Sequence, residues 1–326
     1  MSVWILALVV PAAVTLALIA LLRRSPWASR LADHPNARSL HVLPTPRLGG
    51  IAMMLAALPV AMAMSNQLDV VWALALGLAL VSFADDLRSL PIGVRLTAHF
   101  AAAALAVTYI APSGGMPFVA AILIALAIAW MTNLYNFMDG ADGLAGGMAL
   151  FGFAAYALAA AAAGLEALAL GAAVVASAAL GFLAFNFPPA RVFMGDAGSI
   201  PIGFLAGALG LHGAVMGAWP PWFPLLVFSP FVVDATATIA HRLARRERVW
   251  IAHRQHYYQR LVLSGWSTRR LALACYAVMI AAAVSALAVR TASPAMQYAI
   301  LAAWCALYIV AIVAIERRGT FESASP

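Results

Sequence analysis

Apolar residues run through this chain in long stretches, broken at wide intervals by short clusters of charge, glycine and proline. Stretches of roughly 17–25 apolar residues are long enough to cross a bilayer as helices. Reading them along the chain predicts eleven spanning helices, at 3–22, 49–64, 68–84, 96–111, 118–132, 144–163, 167–185, 200–216, 222–240, 271–289 and 296–315. Several are short, so one split or fused pair would change the count by one. The spans are rich in alanine and glycine, which suits helices that approach one another closely. The expected fold is an all-α integral membrane protein, with residues 1–326 forming one polytopic unit.

Composition narrows the class further. Hydrophobic residues make up 65% of the chain, charged residues 10%, and the mean hydropathy is +0.94. A soluble domain is about half apolar and a quarter charged, so a cytosolic enzyme is excluded, as is a disordered or nucleic-acid-wrapping chain. Cys275 and Cys305 lie in apolar runs, which supports neither a disulfide framework nor a thiolate metal site.

The charges give an orientation. All 19 basic residues are arginines, and only Arg290 falls outside the loops that follow the odd-numbered spans. The positive-inside rule makes those loops cytoplasmic, with the N-terminus outside and the C-terminus inside, as an odd number of spans requires. The first apolar run has no basic residues before it and no small-residue cleavage site, so it reads as an uncleaved helix. The net charge of +7 then faces anionic lipid and whatever binds there.

The acidic residues gather on the same side. Asp85 and Asp86 end the third span, Asp139 and Asp142 follow the fifth, and Asp196 lies between the seventh and eighth. A solvated helix end with a local ion pair would explain Asp85-Asp86 alone. Five aspartates on one face, three of them in glycine-rich turns, point to a site. Hard oxygen ligands suit Mg²⁺, with Mn²⁺ as the alternative, and Mg²⁺ completes its shell with water and substrate phosphates. A diphosphate substrate would account for both the aspartates and the surrounding arginines. The longest inner loop, 241–270, carries His253-Arg-Gln-His256-Tyr-Tyr-Gln-Arg260. An amphipathic segment on anionic headgroups would need only the arginines. The interleaved histidines add groups that can donate to phosphate or act as acids.

These loops together resemble the polyprenyl-phosphate N-acetylhexosamine-1-phosphate transferases. The resemblance rests on Asp33-His-Pro-Asn36-Ala-Arg38-Ser-Leu-His41, continuing through Thr45-Pro-Arg47-Leu-Gly-Gly50, and on Asp85-Asp86. It extends through Asn133-Leu-Tyr-Asn136-Phe-Met-Asp139-Gly-Ala-Asp142-Gly, Phe193-Met-Gly-Asp196-Ala-Gly-Ser199 and His253-Arg-Gln-His256. It covers the inner loops 23–48, 85–95, 133–143, 186–199 and 241–270, which would form the active site. The implied reaction passes HexNAc-1-phosphate from a UDP-sugar to undecaprenyl phosphate and releases UMP, at a bacterial inner membrane.

The resemblance also implies roles. Asn136 and Asp196 match the positions that hold Mg²⁺. Asp85 matches a residue proposed to deprotonate the lipid phosphate or to attack as a nucleophile, and Asp86 is its neighbour. Asp139 matches a further active-site carboxylate. Phe193 matches an aromatic that stacks on uracil, and Asp142 lies where the uracil edge is contacted. Arg95 faces phosphate, while Arg47 and Asn133 belong to the same substrate-binding motifs. His253, Arg254 and His256 match a loop that closes on the diphosphate and sugar. A second phosphate pKa of about 6 leaves the lipid phosphate largely dianionic at neutral pH, which favours direct displacement over a nucleophilic Asp85.

The peptidoglycan-precursor branch carries consecutive histidines where this chain has His253-Arg-Gln-His256. The chain therefore looks more like the branch that initiates O-antigen or other surface polysaccharides, including those built on 6-deoxy sugars such as N-acetylfucosamine. That precursor transferase and a non-catalytic lipid-phosphate scaffold or transporter are the alternatives. A homodimer is the assembly suggested by the resemblance. His99 and His212 read as packing residues. Trp219, Trp222, Trp130 and Trp250 read as an interfacial belt, and the Met-rich 53–64 as packing or lipid-facing surface. Asp234, inside the ninth span, is expected to face the interior and pair with an arginine or a backbone donor.

Overall fold

The computed structural model describes residues 2–35, 39–40, 43–111, 116–249, 251 and 253–317. Asn36, Arg38 and His41 of the first motif, with Trp250, Arg318 and most of the loop at 112–117, lie outside the described residues. The chain is an all-α integral membrane protein. Among the described residues, nine helices are long and apolar enough to cross a membrane.

The first is α1 (Ser2–Leu22), followed by the single turn α2 (Trp27–Arg30) and a small antiparallel pair, β1 (Ala32–Asp33) with β2 (Thr45–Pro46). Then come α3 (Gly49–Met64), α4 (Asp69–Arg88), α5 (Ile92–Ile110), α6 (Phe118–Phe137), α7 (Leu144–Ala162), α8 (Glu166–Asn186) and α9 (Asp196–Val215). The short α10 (Phe223–Val227), α11 (Ser229–Ala244) and α12 (Tyr257–Leu263) precede α13 (Thr268–Val289) and α14 (Pro294–Glu316). Helices α7, α8 and α9 form the centre, with α1 and α3 against α8 and with α4 and α6 against α9. Helix α14 contributes no buried residue.

The eleven expected spans resolve differently at two places. The second is the 16-residue α3, too short for the nine. The ninth breaks at Phe228 into α10 and α11. Pro230 causes the break, because it has no N–H to give the Leu226 carbonyl four residues back. The Ser229 hydroxyl donates to that carbonyl instead, at 2.7 Å. Several helices also run past their apolar stretch. Asp85 and Asp86 belong to the last turn of α4, and Asn133 and Asn136 to the last two turns of α6, so these residues sit on helices rather than in loops.

Polar groups are used sparingly and to repair the backbone. Pro11 interrupts the hydrogen-bond ladder of α1, and Ser177 of α8 fills in beside it. Its Oγ accepts from the Ala12 N–H at 3.1 Å and donates to the Leu8 carbonyl at 2.7 Å. In hydrocarbon such groups find no water, so the serine ties the two helices together. Ser177→Ala is expected to lower the thermal midpoint in detergent by roughly 2–4 °C, near 1 kcal/mol. An unchanged midpoint would show that the helix closes the gap by itself.

Trp219 departs from its expected place in an interfacial belt. It is buried, donates to the Gly210 carbonyl at 3.0 Å and stacks on Tyr156 at 4.9 Å between ring centroids. Its indole is wedged against α9, so it serves the core.

Candidate active site

The ends of α4, α6, α9 and α11 frame a cavity of about 1090 Å³, with the β1–β2 pair and the 253–259 segment at its margins. Its floor is largely main chain. Gly49 and Gly50, at the start of α3, donate to the carbonyls of Phe193 and Met194 at 2.9 and 2.8 Å, and the Phe193 N–H donates to the Pro46 carbonyl at 2.9 Å. The 193–194 segment is thus laid against the end of the β1–β2 pair, using N–H groups that a helix start leaves unpaired. Gly50 and Gly198 face each other so closely that a Cβ on either would collide with the other's backbone. Gly195 follows with φ of +74°, the left-handed geometry that glycine adopts freely. This turn delivers Asp196 as the first residue of α9, where the positive end of the helix dipole favours a carboxylate.

Four acidic side chains converge here. The Asp86 side chain is only 3% exposed; its Oδ1 pairs with Arg47 Nη1 at 3.2 Å, whereas its buried Oδ2 has no hydrogen-bond partner among the described residues. That oxygen lies 3.5 Å from where a Cβ on Gly195 would stand. Burial raises Asp139 well above the usual carboxylate range, and the charges of Asp196, Asp86 and Asp33 push the same way. Asn136 lies against the Asp196 carboxylate, and its Oδ1 accepts from Ser199 Oγ at 3.0 Å. Among the described residues no three His, Cys, Asp or Glu side chains form a ready-made metal cage. One or two carboxylates, an amide and an orphaned oxygen suit Mg²⁺, which draws the rest of its shell from water and phosphate.

The raised Asp139 carries a stability consequence with a definite sign. Its proton binds more tightly in the folded chain than in the unfolded one, so its contribution is present at low pH and is lost as pH rises above about 4. The thermal midpoint in EDTA is therefore expected to fall as pH rises above about 4, and added Mg²⁺ to raise it increasingly as pH rises. A Mg²⁺ effect that stays flat with pH would contradict this.

Asp85 is fully engaged by comparison. Its Oδ2 pairs with Arg95 Nη1 at 2.9 Å, and its Oδ1 accepts from the Leu90 N–H at 2.6 Å. Asp142 accepts from the Ala190 N–H at 3.0 Å, while Asn186 links Gly143 N–H to the Val192 carbonyl. These bonds hold the Asp139–Gly143 turn beside Phe193, which is half-buried in the cavity wall. On the far side, buried Arg242 donates to Glu247 and to the carbonyls of Arg248 and Ile251, shaping the approach to His253. Burial and the neighbouring His256 and Arg242 lower His253 to about 4, so it is a neutral imidazole at pH 7.

The structure gathers all but one of the expected site residues into the cavity wall. Arg254 is exposed and does not line it. The segment is irregular there, and its neighbours His253 and His256 turn inward while the guanidinium projects away. His99, expected only to pack, lines the cavity with its Nδ1 3.1 Å from Asn133 Oδ1. It lies one helical turn beyond Arg95, on the same face of α5, and that spacing is the signal that identifies it. Asp33, Tyr258 and Gln259 also line the cavity.

The sequence profile of glycosyl transferase family 4 matches residues 68–214. A phospho-N-acetylmuramoyl-pentapeptide-transferase of Desulforudis audaxviator is 30% identical over 83% of this chain and 92% of its own length. The chain belongs to glycosyl transferase family 4. A decaprenyl-phosphate N-acetylglucosaminephosphotransferase of Mycobacterium tuberculosis is also 30% identical, over 76% of this chain and 74% of that protein. A probable undecaprenyl-phosphate N-acetylglucosaminyl 1-phosphate transferase of Bacillus subtilis is 25% identical over 87% of this chain and 81% of that protein. For this family 4 member, the match takes in α4 to α9, the helices and connecting turns that carry every aspartate of the cluster except Asp33.

Proposed function

We propose that this chain transfers a HexNAc-1-phosphate from a UDP-sugar to undecaprenyl phosphate at the inner face of a bacterial cytoplasmic membrane, starting a surface glycan such as an O-antigen. The carrying observation is the cavity itself, in which a carboxylate cluster with an orphaned Asp86 oxygen meets an apolar wall. Leu96, Phe100, Leu126, Trp130 and Ile239 supply that wall between α5, α6 and α11. An isoprenoid chain would lie along it and bring its phosphate to Arg95 and Arg47.

The oxygen of the lipid phosphate attacks the sugar-bearing phosphorus of the donor. A new P–O bond forms, the bond to the UMP oxygen breaks, and UMP leaves with the electron pair. Asp196 and Asn136 would hold a Mg²⁺ ion, which when bound neutralises charge on the diphosphate. Phe193 offers a ring to uracil. Neutral His253 and the His256 ring cover the diphosphate side. Both oxygens of Asp85 accept hydrogen bonds, which leaves it poorly disposed to attack phosphorus and supports direct displacement. No sugar-phosphate adduct is therefore expected on Asp85 after rapid quench and peptide mass analysis, and a trapped adduct would reverse this assignment.

The function is tested with purified protein, undecaprenyl phosphate, Mg²⁺ and a panel of UDP-GlcNAc, UDP-FucNAc and UDP-MurNAc-pentapeptide, scoring UMP release. Release with one of the first two, lost in EDTA, supports the proposal. Release with the pentapeptide alone would favour the peptidoglycan reading that the Desulforudis relative keeps in view. No release from folded protein would leave a lipid-phosphate scaffold.

A further inference from the structure

Asp234 stands outside the cavity, behind the His256 ring, and its carboxylate gathers four donors. Oδ1 lies 3.0 Å from His256 Nδ1, accepts from the Tyr257 N–H at 3.0 Å, and takes the Thr238 hydroxyl at 3.3 Å. Oδ2 accepts from the Tyr258 N–H at 2.9 Å. Asp234 and His256 are 8% and 4% exposed, so water competes little for these bonds. These four contacts leave the carboxylate little freedom to turn, and a histidine whose Nδ1 is committed to a carboxylate presents Nε2 on its other edge.

The ring is held from its faces as well. Tyr258 stacks on it at 5.7 Å and 19°, and the Tyr258 hydroxyl donates to the Phe137 carbonyl at the end of α6, at 3.2 Å. Gly140, in the turn that carries Asp139, is pressed against that hydroxyl. One buried carboxylate therefore fixes the edge of His256, the start of α12 and, through Tyr258, the spacing between the histidine segment and the α6 turn.

We propose that Asp234 is a positioning residue for transfer, which acts through His256 by directing its Nε2 into the cavity toward the donor diphosphate. This rests on the function proposed above. Asp234 does not touch the substrate; it sets the tautomer and angle of a side chain that does, as the carboxylate behind a metal-bound histidine does.

The test is a double-mutant cycle on the full chain in detergent, with Asp234→Asn, His256→Ala and the pair, reading kcat, KM for both substrates and the thermal midpoint of each. Asp234→Asn is expected to lower kcat about 10–100-fold with KM for the lipid phosphate little changed. In the His256→Ala background the same change is expected to cost less than about 3-fold, because the ring through which Asp234 acts is gone. Equal losses in both backgrounds, or an unchanged kcat in Asp234→Asn, would overturn the role. Should Asp234→Asn not fold, the cycle is run with Asp234→Ser, and failure of both to fold would show that Asp234 holds the fold instead. If the wild-type chain releases no UMP, the proposed function falls and this role with it. Wild-type turnover with equal losses removes the role alone.

Discussion

Asp196→Asn is expected to abolish transfer while leaving the protein more stable. The residue opens α9 after the Gly195 turn, faces Asn136, and shares its surroundings with Asp86 and Asp139. On the proposed chemistry it holds Mg²⁺ against the diphosphate. Removing one group that neutralises charge in a transition state costs about 10²–10³-fold, and a lost metal ligand costs at least that, near 4 kcal/mol in barrier. Stability moves oppositely, because without Mg²⁺ the three carboxylates repel one another and Asp86 Oδ2 is already unpartnered. Turning one into an amide removes that repulsion, and the midpoint in EDTA should rise by a few degrees. Steady-state UMP release and thermal unfolding of the same preparation measure both. Activity within about 10-fold of wild type would remove Asp196 from the metal site, and a lowered midpoint would show that its charge is already compensated.

The second large effect is expected at a residue with no side chain. A Cβ on Gly50 would strike the backbone of Gly198 and come within 2.7 Å of the Met194 carbonyl oxygen. Main chain cannot swing aside as a lysine tip can, so either α3 and α9 separate or the Gly50–Met194 hydrogen bond breaks. Gly50→Ala should cost about 3 kcal/mol or more, toward the top of the range for overpacking. Because the same contact places Gly195 and Asp196, folded material that survives should turn over at least about 10²-fold more slowly. Gly77→Ala is the control, since nothing lies within 4 Å of a Cβ there. Equal behaviour of the two variants in unfolding and turnover would refute the close-contact argument.

Much of the candidate site is legible in the sequence because charge is scarce in this chain. An aspartate at the end of an apolar helix is costly, and Asp85, Asp86, Asp139, Asp142 and Asp196 therefore stand out by position alone. What escaped was direction. Arg254 stands level with His253 and His256 in the motif, but residue spacing fixes no side-chain direction in an irregular segment. His99 reads as a lone packing histidine in the sequence, although its helical register with Arg95 places it on the cavity side. Trp219 sits in a Trp-Pro-Pro-Trp run that resembles a membrane-surface belt, and only the packing of α9 shows its indole turned inward. The break at Phe228 was written in Ser229-Pro230, yet hydropathy averages over such a pair. Helices run past their apolar stretches for one shared reason. Hydropathy stops at the first polar residue, whereas hydrogen bonding continues wherever a polar cavity receives the side chain.

The main-chain floor of the site also has a history within each molecule. Gly49 and Gly50 leave the ribosome long before Phe193 and Met194, the residues whose carbonyls they will meet. At usual synthesis rates the interval is on the order of ten seconds. Throughout it the two N–H groups lack the carbonyls that they meet in the finished chain, while α4 to α8 are still being made. The seam closes when α9 arrives. A half-made chain thus carries its first arginines and aspartates with no floor beneath them, and the cavity takes shape only when most of the protein is in place.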